Sequence, residues 1–414
     1  MSDTAMRVFL VAGETSGDHL GADLMTALRG RLGDRVNFVG VGGPEMSAAG
    51  LASLFPMSDI AVMGVWPVLQ RLPLVLRRIR ETAAAAIAAR PEVLVLIDSP
   101  DFCHRVAKRV KKAIPDQKIV LYVSPTVWAW RPGRAKRIAA FTDRLLALLP
   151  FEPAAHRRLG GPPTTYVGHP FLARLDEVRP AAGRNAPLAA GRRPVVVVLP
   201  GSRRSEVTRL MAPFGAALGR LAATVGPIEV VLPAVEHVRA EIEARLADWP
   251  VKSTVVAGQA AKFAAFARAD AALAASGTVT LELAVAGVPM VAAYRLDALG
   301  RLVKRFLDVP EPLRDILPVR SALLPNLVVG ERAVPEFIDA DCTAENLAAA
   351  LAALLADGPE RRRQTVAFER FEARMRDGLP DTHGGAAADA VAEVLRSKSL
   401  EVRAPEAPEA RSGG

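Results

Sequence analysis

Short runs of apolar, often β-branched residues recur along this chain. Between them lie stretches in which apolar positions return every three or four residues. The first pattern predicts strands buried on both faces, and the second predicts helices laid across them. "VFLVA" (Val8 to Ala12) is the first predicted strand, followed by a glycine-rich turn and a helix near Leu20 to Arg31. "VNFVGVGG", "VLVLI" (Val93 to Ile97), "IVLYV" (Ile119 to Val123) and "RLLAL" (Arg144 to Leu148) continue the series. Arg179 to Pro194, rich in Pro, Gly, Ala and Arg, has no sustained periodicity and reads as a linker or surface loop. The alternation restarts with "VVVVL" (Val195 to Leu199), "IEVVL" (Ile228 to Leu232), "STVVA" (Ser253 to Ala257), "AALAA" (Ala271 to Ala275) and "PMVAAY" (Pro289 to Tyr294). Helical patterns follow from about Thr343 to Met375 and from Gly385 to Arg396. The last stretch, "RAPEAPEARSGG", has the composition of a disordered tail. The predicted fold is two consecutive α/β units, each a parallel sheet covered by helices. Such pairs bind ligands at the carboxyl ends of strands, in a cleft between domains.

Composition adds bounds to this picture. The 414 residues exceed what one ordinary core serves, and half of them are hydrophobic, which supports two sizeable cores. Two cysteines, Cys103 and Cys342, form no bridging framework and no metal-ligand spacing, which fits a reducing compartment. The start of the chain lacks a signal-peptide pattern, and no apolar run reaches the roughly eighteen residues a spanning helix needs. A cytoplasmic protein is expected. The net charge of +9 favours anionic partners such as a membrane surface or phosphorylated substrates. Few aromatics and no recognisable nucleic-acid signature argue against nucleic acid.

One segment does not fit a plain core helix. In "MGVWPVLQRLPLVLRRIRE", Val68, Leu69, Leu72, Val75, Leu76 and Ile79 fall on one helical face, with Trp66 at its edge. Arg71, Arg77 and Arg78 lie on other faces, and Pro73 is expected to disturb the first turn. An apolar face flanked by arginines suits a helix lying in the interface of an anionic bilayer. Packing of the same face on a sheet is the alternative, and periodicity alone leaves both open.

Four loops directly after predicted strands could carry chemistry. "GETSGD" (Gly13 to Asp18) offers a tight turn and a helix start to an anion or a sugar hydroxyl, or is simply a turn with an N-cap. In "IDSPDF", Asp98 ends an apolar strand, where a carboxylate can accept a proton from an attacking hydroxyl or simply make an Asx-turn before Pro100. Asp101 reads as the cap of the following helix. "LPGSRRSEV" sets Gly201 and Ser202 in a turn into a helix, with Arg203 and Arg204 adding charge that suits a diphosphate. The competing reading gives Glu206 a capping-box role there. In "ASGTVTLELAVAGVPMV", Ser276, Gly277 and Thr278 open another helix, and Glu282 one turn on could hold the two hydroxyls of a ribose or simply favour the helix dipole. No metal cluster and no Ser-His-Asp order is legible among the six scattered histidines.

Taken in order, "AGETSGDHLGADL", "IDSPDF", "SPTVWAWRPGR", "YVGHPF", "LPGSRRSEV", "SGTVTLELAVAGVPMV" and "LLPNLV" resemble the motifs of bacterial lipid-A-disaccharide synthases, from about Val8 to Leu395. The resemblance implies a GT-B glycosyltransferase fold, with two Rossmann-like domains facing an interdomain cleft and C-terminal helices. Residues 1–178 would form the acceptor-side, membrane-contacting domain and 179–194 the linker. Residues 195–375 would form the UDP-sugar domain, 376–398 a C-terminal helical region and 399–414 the tail. It implies an inverting, metal-independent transfer from UDP-2,3-diacylglucosamine to 2,3-diacylglucosamine 1-phosphate (lipid X), with no cofactor. The products would be the β-1′,6-linked lipid A disaccharide 1-phosphate and UDP.

By the same resemblance Asp98 is the candidate base, and Ser16 and Gly17 belong to the loop at the cleft. Gly201, Ser202 and Arg203, Ser276, Gly277 and Thr278, Glu282 and Asn326 would make the donor site. Ser99 stands where alanine is expected in many members. The lipid substrates shift the balance for Trp66, Val68, Leu69, Leu72, Val75 and Leu76 toward contact with the cytoplasmic face of the inner membrane, without crossing it. A homodimer is suggested by the resemblance alone, and the C-terminal helices could return to the first domain or pass to a partner. The alternative functions are another UDP-N-acetylglucosamine-using GT-B enzyme, an epimerase or the peptidoglycan glucosaminyltransferase, or a basic membrane-bound protein without turnover.

Overall fold

The computed structural model describes residues 6–61, 65–178, 192–296, 310–379 and 384–401, and in these the side chains of 65–70, 173, 174, 176, 178 and 397–401 are left aside. The predicted linker (its residues 179–191), most of the tail, and the side chains of Trp66, Val68 and Leu69 therefore lie outside the described residues.

The apolar runs form two parallel sheets. The first contains β1 (Met6–Ala12), β2 (Val36–Val41), β3 (Ala52–Ser53), β4 (Val93–Ile97), β5 (Ile119–Tyr122), β6 (Arg144–Ala147) and β7 (Thr164–Tyr166), in the order β3-β2-β1-β4-β5-β6-β7. The second contains β8 (Val195–Leu199), β9 (Glu229–Ala234), β10 (Ser253–Ala257), β11 (Ala271–Ala275), β12 (Met290–Tyr294) and β13 (Glu336–Ile338), in the order β10-β9-β8-β11-β12-β13. Both reverse direction once, between β1 and β4 and between β8 and β11. These are the topological switch points of doubly wound sheets, where loops diverge and leave a crevice. Leu10 pairs with Val95 across the first switch point, and Leu273 with Val198 across the second.

Around the first sheet lie α1 (Thr15–Leu32), α2 (Pro44–Ala48), α3 (Val65–Ala89), α4 (Pro100–Ala113), α5 (Arg134–Ala139) and α6 (Glu152–Arg158). The pleat of β1 sorts its side chains. Val8, Leu10 and Ala12 join one core with Leu24 and Leu28 of α1, while Phe9 and Val11 join another with Ile79 of α3 and Val106 of α4. Around the second sheet lie α7 (Leu175–Val178), α8 (Arg204–Val225), α9 (Glu236–Leu246), α10 (Gln259–Arg268), α11 (Val279–Val285), α12 (Leu324–Val329), α13 (Ala344–Leu355) and α14 (Pro359–Arg376).

The last helix, α15 (Gly385–Glu401), does not stay with its sequence neighbours. Ala388, Val391, Val394 and Leu395 complete the core beside α1, and Arg31 of α1 binds Asp389 at 2.6 Å. The described residues of Met1–Gly168 and Gly378–Gly414 thus form one compact unit and those of His169–Asp377 the other. The division falls ahead of the Pro- and Gly-rich stretch because the turn Pro170–Arg174 packs on α11 and α7 packs on α10. In the single chain described, α15 packs on the first unit.

Three strands escape the sequence reading: β3, β7 and β13. Each is two or three residues long, at a sheet edge, with no fully buried residue, so none leaves an apolar run. Pro73 does not split its segment, since α3 runs on through it, and the ring faces outward. Ser99 rather than Asp101 takes the cap position of α4, with Pro100 at the first helical residue and Asp101 exposed in the first turn. No helix among the described residues is long and apolar enough to cross a membrane. Both cysteines are buried and free.

Candidate active site and donor cavity

At the first switch point the chain leaves β4 under strain. Asp98 (φ 53°) and Ser99 (φ 43°) both adopt left-handed backbone conformations, which side-chain-bearing residues rarely hold unless their surroundings impose them. The Asp98 N–H donates to the Tyr122 carbonyl at 2.9 Å. Its Oδ1 accepts from the Ser99 N–H at 2.8 Å, and Oδ2 takes a long 3.4 Å hydrogen bond from the Ser16 hydroxyl. Ser16 is exposed at the start of α1, while Gly17 is buried against β4. Gly13 permits the approach of the two loops, because a Cβ there would lie 2.6 Å from Ser99 Cβ and Oγ. The structure therefore brings Asp98 and Ser16 together and keeps the carboxylate at the sheet's carboxyl edge, half-buried and aimed by backbone geometry.

Asp18, in the first turn of α1, has a different task. It is buried and accepts hydrogen bonds from the N–H groups of Gly43, Glu45 and Met46 at 2.8, 2.9 and 3.0 Å, which ties α2 to α1. The neighbouring Cys103 thiol is pushed up by burial and then by the Asp98 and Glu14 charges, so it remains protonated and inert.

Beside Asp98, the loop after β5 starts at Val123 with φ 81°, a rare conformation for a β-branched residue. A buried polar cluster holds this loop. Glu152 accepts from the N–H groups of Leu148 and Leu149 and from the Trp128 indole at 3.2 Å, and Ser124 Oγ lies 2.9 Å from His156 Nε2. Burial pushes the Glu152 carboxyl up to about 7, against the pull of its hydrogen-bond donors, and lowers His156 to about 4. Sequence reasoning passed over both. Their only trace is a glutamate and a histidine four apart on one helix.

The second unit carries a cavity of about 770 Å³ at the carboxyl ends of β8, β9, β10 and β11. Gly201, Ser202 and Arg203 line it from the loop before α8, and Ser276, Gly277, Thr278 and Glu282 from the loop and first turn of α11. Two loops far apart in sequence thus meet at one site. Gly201 sits at φ 117°, and a Cβ there would lie 2.4 Å from Glu206 Oε2, so only glycine fits. Glu206 Oε2 accepts from the Ser202 and Arg203 N–H groups at 3.1 and 3.3 Å, and Oε1 accepts from the Arg203 guanidinium at 2.8 Å. The capping box therefore engages the Ser202 and Arg203 donors of this loop. His237 Nε2 fixes the loop from below, 2.7 Å from the Ser202 carbonyl oxygen.

Lys262, unremarked in the sequence, enters the same cavity from α10 and pairs with Glu282 at 2.8 Å. Asn326 is placed elsewhere. It is fully buried, its Oδ1 accepts from Val334 N–H, and its amide nitrogen donates to Val334 O, Glu336 Oε1 and Ser321 Oγ. It clamps α12 to the segment leading into β13 and does not line the cavity.

The predicted apolar face of α3 divides. Val75 and Leu76 are partly buried against the sheet, next to fully packed Ile79, whereas Leu72 is 38 % exposed. Arg78 is held by Asp59 and Glu81, both at 2.6 Å, with its guanidinium 4.4 Å from the Phe55 ring centroid. Arg77 pairs with Glu81 at 2.7 Å, while Arg71 and Arg80 are exposed.

The family model for lipid-A-disaccharide synthetase matches residues 8–389. The chain belongs to the lipid-A-disaccharide synthase family. The lipid-A-disaccharide synthase of Rhodopseudomonas palustris strain HaA2 is 52 % identical over 390 residues, covering 94 % of this chain and 96 % of the relative. That of Bradyrhizobium diazoefficiens is 50 % identical over 380 residues, covering 91 % and 93 %. Among solved structures, an S. aureus MnaA–UDP complex is similar over 97 % of this chain and 99 % of its own, with a TM-score of 0.58 and 11 % identity. Acinetobacter baumannii MurG is similar over 94 % and 99 %, with a TM-score of 0.51 and 14 % identity. Those two likenesses establish the GT-B fold alone, whereas the lipid-A-disaccharide synthases match in sequence along nearly the whole chain. The enzyme is accordingly a glycosyltransferase of lipid A disaccharide formation, and the epimerase and peptidoglycan readings are not favoured.

Proposed function

We propose that this enzyme joins UDP-2,3-diacylglucosamine to 2,3-diacylglucosamine 1-phosphate, giving the β-1′,6-linked lipid A disaccharide 1-phosphate and UDP. Asp98 is the base that takes the proton of the acceptor 6-hydroxyl as that oxygen attacks the anomeric carbon. The observation that carries the reading is the strained, doubly hydrogen-bonded Asp98 at the switch point of the first sheet. Strain of this kind supports a carboxylate whose direction matters. On the donor side, the 770 Å³ cavity takes the UDP moiety. The Ser202 and Arg203 N–H groups and the Arg203 guanidinium meet the charge that develops on the departing diphosphate. Since Glu206 now accepts from all three donors, diphosphate binding exchanges this internal carboxylate for the ligand.

The acyl chains of both substrates belong in a bilayer, and we assign the exposed side of α3 to its anionic surface. Leu72 supplies apolar contact there, and the exposed Arg71 and Arg80 meet headgroups. Val75 and Leu76 support that surface from the sheet side.

Turnover of the two diacyl substrates in mixed micelles tests the assignment. Asp98→Asn should lower kcat by roughly 10²–10⁴-fold, the usual contribution of a positioned general base, with UDP affinity and melting temperature unchanged. Near-native turnover in a folded variant removes Asp98 as base. Disaccharide absent from the wild type, with UDP-sugar bound, removes the reaction.

A further inference from the structure

The donor cavity contains two cations, Arg203 and Lys262, and each is already held by a carboxylate from the first turn of a helix. Arg203 is bound to Glu206 of α8 at 2.8 Å, and Lys262 to Glu282 of α11, also at 2.8 Å. The two pairs differ in exposure. The Arg203 side chain is 67 % exposed over a 7 % exposed Glu206, whereas Lys262 is 19 % and Glu282 10 % exposed. An exposed guanidinium can change partners, since water supports it on the way. An ammonium in a nearly closed ion pair cannot leave without stranding a desolvated carboxylate, which is far more costly than the pair itself. Lys262 is further restrained by the Phe263 ring, whose centroid is 5.2 Å from its Nζ.

We propose that Lys262 is a positioning residue of the nucleoside subsite. It fixes the Glu282 carboxylate, correctly turned, so that this carboxylate accepts hydrogen bonds from the two hydroxyls of a ribose. The diphosphate is left to Arg203 and the α8 N-terminus. The proposal rests on the reading of this cavity as the UDP-sugar site and assigns its charges: one cation is exchanged on binding and the other is retained. Lys262 comes from α10 and Glu282 from α11, so the subsite exists only when these two helices are docked together. Gly277 leaves the approach open, since a Cβ there would meet nothing within 4 Å.

Calorimetric titration of the full chain with uridine, UMP, UDP and 2′-deoxy-UDP separates the possibilities. Lys262→Met should weaken uridine, UMP and UDP by the same factor, about tenfold. Preference for UDP over its 2′-deoxy form should shrink, and Lys262→Arg should restore most of the loss. Combined with Glu282→Gln, Lys262→Met should add nothing, because the lysine acts only through that carboxylate. A loss confined to UDP would make Lys262 a diphosphate contact and overturn the proposal. Additive losses in the double variant, or unchanged affinities in Lys262→Met, would overturn it equally. A wild-type chain that binds neither UDP nor UMP would instead remove the donor-site reading itself.

Discussion

Asp18 and Asp98 both follow apolar strands in the first unit, and the structure gives them opposite work, which makes Asp18→Ala a sharp test. The substitution removes three hydrogen bonds, at 2.8, 2.9 and 3.0 Å, from buried or partly buried N–H groups of Gly43, Glu45 and Met46. A hydrogen bond to a charged group contributes about 1.5–3 kcal/mol, and its loss leaves a donor dry. The three share one side chain and are not additive, so the expected cost is roughly 3–5 kcal/mol. For a unit of about two hundred residues this lowers the melting temperature by roughly 10 °C. Asp18→Asn keeps one acceptor oxygen and should lose about half as much. Differential scanning calorimetry reads the shift, and turnover per folded molecule well below the transition should stay near wild type. Asp98→Asn should show the reverse pattern, with melting unchanged and turnover lost. A melting shift under about 2 °C for Asp18→Ala, or loss of turnover in a fully folded variant, would refute the assignment of Asp18 to α2.

Three further outcomes follow from named geometry. Gly201→Ala forces a side chain into φ 117° against Glu206; about 1–3 kcal/mol of strain placed on the anion loop should weaken UDP at least about tenfold, as read by titration. Glu152 has its folded carboxyl raised to about 7 by burial, so its contribution is fully present below its unfolded value near 4.5 and is lost as pH rises through 7. His156, lowered to about 4 from 6.5, contributes above 6.5 and loses that contribution as pH falls. Glu152→Gln should accordingly gain stability relative to wild type between pH 5 and 8 in thermal melts, and a constant difference across that range would contradict the assignment. Leu72→Ser should abolish binding to anionic vesicles with the melting temperature unchanged, whereas Ile79→Ser, at a fully packed position, should destabilise the fold.

The central strands were legible because both their faces are covered, which leaves uninterrupted apolar runs such as Val93–Ile97. The edge strands were not, since pairing on one side of a sheet needs only two or three residues and no particular side chains. Asp98 could be singled out as a carboxylate at a strand end, but its left-handed backbone could not. Periodicity marked an apolar face on α3 without saying what covers it; the sheet claims Val75 and Leu76 and leaves Leu72 outside. Lys262 was invisible because its meaning depends on Glu282, twenty residues on and in another helix. Asn326 could be singled out within "LLPN", but the four hydrogen bonds by which it joins α12 to the segment before β13 could not.

The return of α15 to the first unit has a consequence for how the chain emerges from the ribosome. Residues through Gly168 are synthesised long before Ala388, Val391 and Leu395, which cover the apolar groove beside α1. The unit made first is therefore finished last. During translation that groove stays exposed while the whole second unit is made, a window in which chaperones or neighbouring nascent chains can occupy it. Ribosomes stalled before Gly385 should hold a first unit that is protease-sensitive around α1, and release of the last seventeen helical residues should close it.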